Sequence, residues 1–186
     1  MKLLLRIINK IQRRLEWLGW WIWLKRRVNG RVKLRGDLKR LTIAPTFHCD
    51  GDLWLGIYSP DGTIVIGPEV RASGPLVITA IQSVTLGSGV LLGPNVTITD
   101  HHHGDPKDEK IYDFAPSSRP LHTRGSINIE DNVHVGANTV VLSPTHIGHA
   151  TIIGANSVVN GVLKSRTIYA GSPAKSLKVD FSSRKI

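Results

Sequence analysis

From Ile64 to Leu163 the chain repeats itself every six residues. Ile64, Val70 and Leu76 are six apart, and after a two-residue dislocation Ile78, Val84, Val90 and Val96 keep the interval. The period lapses after Val96 and returns with Ile127, Val133, Thr139, Thr145, Thr151, Ser157 and Leu163. A companion series lies two residues on, at Ile129, Val135, Val141, Ile147, Ile153 and Val159, and glycine often follows it directly, as at Gly136, Gly148 and Gly154. An amphipathic helix needs a period near 3.6, and strict strand alternation breaks at each Gly or Asn. Strands of about three residues separated by corners explain the spacing. Three such sides close a triangular coil of about 18 residues, which stacks on the next through parallel hydrogen bonds. The small or β-branched residue of each hexad points inward, and Gly and Asn take the corners because they tolerate unusual backbone angles. A sandwich or small barrel would want longer strands and no fixed interval.

The N-terminus carries a different pattern. Leu4, Ile8, Ile11, Leu15, Leu18 and Ile22 recur at three- and four-residue spacing and share one helical face, with Arg6, Lys10, Arg13 and Arg14 mostly off it. Residues 1–30 therefore read as a basic amphipathic helix. Its longest apolar run, Trp17 to Leu24, is well short of the roughly 20 residues that span a bilayer. Four of the five tryptophans fall between positions 17 and 23, beside Lys25, Arg26 and Arg27. Two uses fit: packing against the protein's own domain or a neighbouring subunit, or peripheral membrane contact through residues 1–28.

Charge changes the picture only locally. The formal charge is +10, yet residues 1–40 hold 13 Lys or Arg against two acids, and the remainder is almost neutral. The excess belongs to an N-terminal arm with no basic-aromatic interleaving or zinc-finger spacing, so no nucleic-acid partner is expected. The single cysteine, Cys49, excludes an intrachain disulfide and fits a reducing compartment. The expected location is cytoplasmic, at the inner membrane face if the helix attaches there.

About 30 residues separate Val96 from Ile127, and they have little periodicity. A stiff stack of coils must loop such an insert out, and long inserts in compact domains are usually functional. This one opens with "VTITDHHHGDP", placing Asp100, His101, His102, His103 and Asp105 together. Imidazole, with an ordinary pKa near 6.5, is suited to general-base work. Adjacent histidines converge poorly on one tetrahedral ion, so no metal is assigned. Cys49 beside His48 is read as a buried apolar thiol rather than a nucleophile.

The hexads, "TDHHHG" at 99–104, "INIEDNVHVGANTVV" at 127–141 and "AGSPAKSL" at 170–177 together resemble the hexapeptide-repeat acyltransferases. The most similar branch holds the maltose, galactoside, nodulation-factor and polysaccharide O-acetyltransferases. The resemblance covers roughly residues 60–178. It implies an all-β fold, a left-handed parallel β-helix of hexapeptide repeats, here with an N-terminal amphipathic α-helix and a protruding loop. It also implies a homotrimer in which the co-substrate acetyl-CoA lies between neighbouring β-helices. His101 matches the family's general base, and a shift of one or two residues would pass the role to His103; His102 reads as structural or acceptor-contacting. Asp100 or a backbone carbonyl would orient the base. The Ala137 amide matches the oxyanion donor, and Gly136 and Ala155 match positions along the pantetheine. Lys175, with Lys164, Arg166 or Lys178 as helpers, would meet the nucleotide phosphates.

Two departures stand out. His134 replaces a common Trp, and "VVNGV" at 158–162 lacks a common lysine. The acceptor-binding acid of maltose-type relatives is also missing, leaving Asp52 and Asp61 as candidate acceptor contacts. The expected organisation is helix 1–30, lead-in 31–60, β-helix 61–178 with loop 100–126, and tail 179–186. The expected activity is O-acetyl transfer to a glycan or lipopolysaccharide-precursor hydroxyl. N-acetylation of an amino sugar, a metal-dependent carbonic-anhydrase-like enzyme and a non-catalytic scaffold are the alternatives.

Overall fold

The computed structural model describes residues 19–177. The helical face from Leu4 to Leu18, Lys178 and the tail 179–186 lie outside the described residues. Residues 19–25 are helical. They do not stand apart from the domain: Leu24 is fully buried, Val28 nearly so, and Trp20 and Trp23 pack against the same core. Two of the clustered indoles thus serve packing. No described helix is long and apolar enough to cross a membrane.

The rest is a parallel β-solenoid of six coils with three faces. The first face stacks Val32–Arg35, Leu53–Ile57, Leu76–Ala80, Val96–Thr99 and the leading halves of Val140–Ile147 and Val158–Leu163. The second stacks Leu41–Ile43, Thr63–Ile66, Ser83–Leu86, Ile127–Ile129 and the trailing halves of the same two long strands. The third stacks His48–Cys49, Arg71–Ala72, Leu91–Leu92, His134–Val135, Ile152–Ile153 and Ile168–Ala170. Lys175–Ser176 then folds back antiparallel on Ile168–Ala170 and ends the stack.

Both six-residue series face the interior. Ile64, Val84, Ile127, Ile129, Val135, Val141 and Val159 are all fully buried. So are Thr139, Thr151 and Ser157, whose hydroxyls donate to the carbonyls of Gly154, Lys164 and Gly154. Buried hydroxyls cost little once paired in this way. Corners require left-handed backbone: Asn95, Asn132, Asn138 and Asn156 have φ of 57–60°, and Glu69, Ala150 and Arg166 have φ of 55–57°. One corner is laced by amides, with Asn95 Nδ2 donating to Asn138 Oδ1 and Asn138 Nδ2 to Asn156 Oδ1, each at 3.1 Å.

The stack starts earlier than the sequence period. Val32–Arg35 already pairs in register with Leu53–Ile57, so residues 31–60 supply most of two coils rather than a lead-in. Their coils are long. Leu53 lies beneath Leu76 and Leu76 beneath Val96, and both steps along the chain are wider than the one from Val140 to Val158. Longer corners erase the six-residue phase without changing which side chains point inward. The fourth coil runs from Thr97 to Val140, more than twice the Val140-to-Val158 step, and the surplus is the excursion.

That excursion is not structureless. His102–His103 pairs antiparallel with Leu121–His122, and the 3₁₀ turns Glu109–Asp113 and Pro116–Ser118 fill the tip. Ile111 is buried under it. Gly104, at φ 84°, makes this closure possible: a Cβ there would stand 2.9 Å from Ile111 Cδ1.

Candidate active site

The three consecutive histidines separate in space. His101 lies just past the first-face strand Val96–Thr99 of the fourth coil, on the edge between the first and second faces. Its Nδ1 lies 3.0 Å from Asp100 Oδ1. Asp100 is fully buried, and three backbone amides of the preceding coil donate to it. Ile81 N–H reaches Oδ1 at 2.8 Å, and Gln82 and Ser83 N–H reach Oδ2 at 2.8 and 2.9 Å. Four donors, the imidazole included, occupy the acceptor sites of one carboxylate. Successive amides converging on an anion in this way form a nest. Nδ1 therefore carries the proton toward Asp100, and Nε2 is left with a lone pair.

The backbone of this corner is pinned as well. Ser143 Oγ donates to the Asp100 carbonyl at 2.7 Å, and Thr99 Oγ1 donates to the His101 carbonyl at 3.3 Å. The Tyr58 ring lies 5.5 Å from the His101 ring at 60°. Sequence reading missed the part that Ser143 and Tyr58 play here. Each lies far along the chain from its partner, and only the coil register brings them together.

His102 turns into the excursion, its ring edge-on to His122 at 5.3 Å. Its Nε2 is buried without a partner. Burial, followed by the like charges of His122 and Arg124, holds this imidazole below its ordinary range. His103 is exposed and contributes only backbone to the ribbon. His134 sits outward on the third face between Leu91 and Ile152, and His146 pairs with Glu130 at 3.0 Å on the second. Among the described residues no three His, Cys, Asp or Glu side chains are grouped to hold a metal. Cys49 is fully buried in the core, and burial pushes its thiol up to about 11. Asp52 is engaged by Arg31 through the backbone N–H, Nε and Nη2 at 2.6–2.9 Å. It lies on the edge between the third and first faces, away from His101. Asp61 is exposed.

Gly136, Ala137 and Ala155 gather on that third–first edge. A Cβ on Gly93 would meet Ala137 N at 2.6 Å, and one on Gly136 would meet Ala155 N at 2.5 Å, so these glycines let successive corners nest. Register aligns Gly93-Pro94-Asn95, Gly136-Ala137-Asn138 and Gly154-Ala155-Asn156. Among the described residues the Ala137 and Ala155 N–H groups have no hydrogen-bond partner, whereas Pro94 has no N–H and Gly171 N–H donates to Ser157 Oγ. Free amides at this corner are thus offered by the fourth and fifth coils and not by the third or sixth. Small side chains and two unclaimed donors suit a slender amide-bearing ligand lying against the backbone.

Lys175 borders the same corner, paired with Ala170, whose Cβ lies 2.9 Å from the position of a Gly154 Cβ. Lys164 and Arg166 lie at the opposite end of the last third-face strand. Within one chain, then, His101 and Asp100 occupy one edge, Gly136, Ala137, Ala155 and Lys175 another, and Lys164 and Arg166 the remaining one. His101 and Ala137 are a strand's length apart, roughly 15 Å.

Residues 126–161 match the family described as bacterial transferase hexapeptide (six repeats). The chain is 37% identical over 122 residues to a putative lipopolysaccharide biosynthesis O-acetyl transferase, WbbJ, of Escherichia coli, covering 63% of this chain and 61% of that one. It is 31% identical over 125 residues to the Escherichia coli galactoside O-acetyltransferase, covering 65% and 56%. It therefore spans about six-tenths of the length of these relatives. Among solved structures, AntD, an N-acyltransferase from Bacillus cereus in complex with dTDP-4-amino-4,6-dideoxyglucose and coenzyme A, matches with TM-score 0.60 at 15% identity, over 90% of this chain and 88% of that one. A galactoside acetyltransferase in complex with coenzyme A matches with TM-score 0.56 at 24% identity, over 80% and 64%. These likenesses establish the β-solenoid fold.

Proposed function

We propose that this chain, a hexapeptide-repeat protein related in sequence to the galactoside and lipopolysaccharide O-acetyltransferases, transfers the acetyl group of acetyl-CoA to a sugar hydroxyl. The acceptor class is a glycan or a polysaccharide or lipopolysaccharide precursor. The observation that carries this reading is the buried Asp100 nest holding His101 by Nδ1. A sugar hydroxyl is almost fully protonated near neutral pH, so its attack needs a base, and an imidazole with one oriented N–H and one free nitrogen supplies it. His101 Nε2 takes the hydroxyl proton as the oxygen attacks the thioester carbonyl. The tetrahedral oxyanion accepts from the Ala137 N–H and then collapses, breaking the C–S bond. The imidazolium returns its proton to the departing sulfur. Asp100 keeps its charge throughout and stabilises the imidazolium.

Acetyl-CoA fits the third–first edge. The free Ala155 amide and bare Gly136 would line the pantetheine, and Lys175 would meet the phosphates. His101 and Ala137 lie on different edges of one chain, which supports a homotrimer in which one copy's His101 faces the next copy's Ala137. Lys164 and Arg166 would act across the same boundary. The exposed Ile22, Lys25 and Arg26 give the basic end a surface suited to anionic lipid, which supports a location at the inner membrane face.

The test is thiol release from acetyl-CoA with a glycan acceptor. His101→Ala should lose turnover by about 10² to 10⁴ while keeping its oligomeric state. His103→Ala should stay within a few-fold of the parent. The reverse order would move the base to His103, and undiminished turnover in both would end the reading.

A further inference from the structure

The groups assigned to acetyl-CoA lie in the fourth to sixth coils, so the acceptor must approach His101 from the first three. Along that side of the first–second edge the structure is distinctive. Tyr58 leaves the second coil with its ring 5.5 Å from the His101 ring. That ring lies over Gly56, where a Cβ would stand 2.6 Å from Tyr58 Cε2, so the missing side chain lets an aromatic plate rest on the sheet. Arg35, in register with Gly56 on the first coil, places its guanidinium 4.9 Å over that plate. Taken end to end, the two separations are within the reach of a short oligosaccharide whose attacked hydroxyl sits at His101.

Arg35 is exposed and, unlike Arg31, has no carboxylate partner among the described residues. Nor does Lys33, which lies 4.2 Å over Trp54. On the adjoining second face, Lys39 and Arg40 line a cleft of about 460 Å³ with Thr42 and Thr63. Its one acid, Asp37, accepts the Lys39 N–H at 3.1 Å. The cations Lys33, Arg35, Lys39 and Arg40 outnumber the acids Asp37 and Asp61 on this side, and an incoming anion relieves their mutual repulsion. A neutral sugar would gain nothing from the cations.

We propose that this edge is the acceptor track of the enzyme and that it selects an anionic glycan, with Arg35, held over the Tyr58 ring, as the contact to a carboxylate or phosphate near the attacked sugar. The proposal rests on the acetyl-transfer reading for the place of the reacting hydroxyl. The planar guanidinium fork suits both anions.

The experiment titrates full-length protein with a glucuronate-containing trisaccharide, its methyl ester and a hexose phosphate, read by saturation-transfer NMR. It compares the parent with Arg35→Gln and Tyr58→Ala. The parent should bind the acid about tenfold more tightly than the ester, the size of one charge-assisted contact. Arg35→Gln should abolish that preference while leaving ester binding within twofold, and Tyr58→Ala, which removes the ring under Arg35, should reduce the preference with little effect on the ester. In turnover, Arg35→Gln should raise KM for the charged acceptor with kcat held. A stronger response to the hexose phosphate would identify phosphate as the anion. Equal or absent binding of acid and ester by the parent, with no response to the phosphate, or selectivity surviving Arg35→Gln, overturns the proposal. Selective binding in a protein whose acetyl transfer survives His101→Ala would keep the track and sink the catalytic assignment instead.

Discussion

Replacing Ala137 by proline should slow the proposed acetyl transfer severely without unfolding the protein. The substitution deletes one N–H and little else, because the neighbouring coil already tolerates it: Pro94 occupies the equivalent corner of the third coil, between Gly93 and Asn95. Asn138 follows with φ 57° and Asn95 with φ 60°, the pattern of a turn that favours proline just before its left-handed residue. The Ala137 N–H has no partner among the described residues, so no intramolecular bond is lost, while the Asn138 N–H to Pro94 carbonyl bond remains. A compatible proline also narrows the unfolded ensemble, which contributes about 0.4–1 kcal/mol of stability. Stability should therefore hold or rise slightly. Catalysis should not. An oxyanion donor is worth about 2.7–4 kcal/mol, so kcat should fall about 10²- to 10³-fold, with KM for acetyl-CoA little changed. Ala155→Pro is the matched control. It removes the equivalent amide one coil on, away from the reacting carbonyl, and should raise KM for acetyl-CoA more than it lowers kcat. The assay is steady-state thiol release beside a thermal melt. A well-folded Ala137→Pro protein within about threefold of parent kcat would refute the oxyanion assignment. A large drop in Tm would refute the equivalence of the two corners.

Asp100→Asn places an NH₂ against backbone N–H donors in either orientation. The orientation that spares Gln82 and Ser83 presents NH₂ to His101 and inverts its tautomer, so we expect kcat to fall by about 10³–10⁴, with about 1–3 kcal/mol of stability lost. Turnover near the parent value, or additivity with His101→Ala, would count against the pair acting as a unit. His102 is held below the ordinary imidazole value of 6.5, so the unfolded chain takes up a proton that the folded ring resists. Stability contributed by the neutral ring is present above pH 6.5 and is lost as pH falls below it. Melts between pH 8 and 5 should show a shallower decline for His102→Gln, and an unchanged slope would contradict this. If the N-terminal arm contacts a membrane as proposed, deletion of residues 1–18, which spares the core residues Leu24 and Val28, should weaken flotation with anionic liposomes relative to neutral ones. Equal flotation of both proteins would remove that arm from the account.

Much of the architecture is legible in the one-dimensional pattern. A coil's interior is filled by residues whose neighbours lie one strand or one corner away, so inward positions must recur at the corner spacing, and both six-residue series are indeed buried. The same logic exposed the excursion, because a stiff stack cannot absorb so long an insert within one coil. Where corners lengthen the signal fades: residues 31–60 stack as faithfully as the rest, yet their longer coils fall out of phase.

The chemistry depended on what lies above and below each residue. Nothing near Asp100 in sequence foretells that the amides of Ile81, Gln82 and Ser83 will close around it, or that Tyr58 will stand beside His101. Nor does "VHVGAN" reveal that the Ala137 N–H goes unclaimed among the described residues while the N–H groups of Gly136 and Asn138 are paired. Periodicity records which way a side chain points along its own strand. Hydrogen-bond partners across coils depend on register between segments a whole coil apart, from Ile152 against Ile168 to Thr97 against Val140, and only the stacked structure fixes that register.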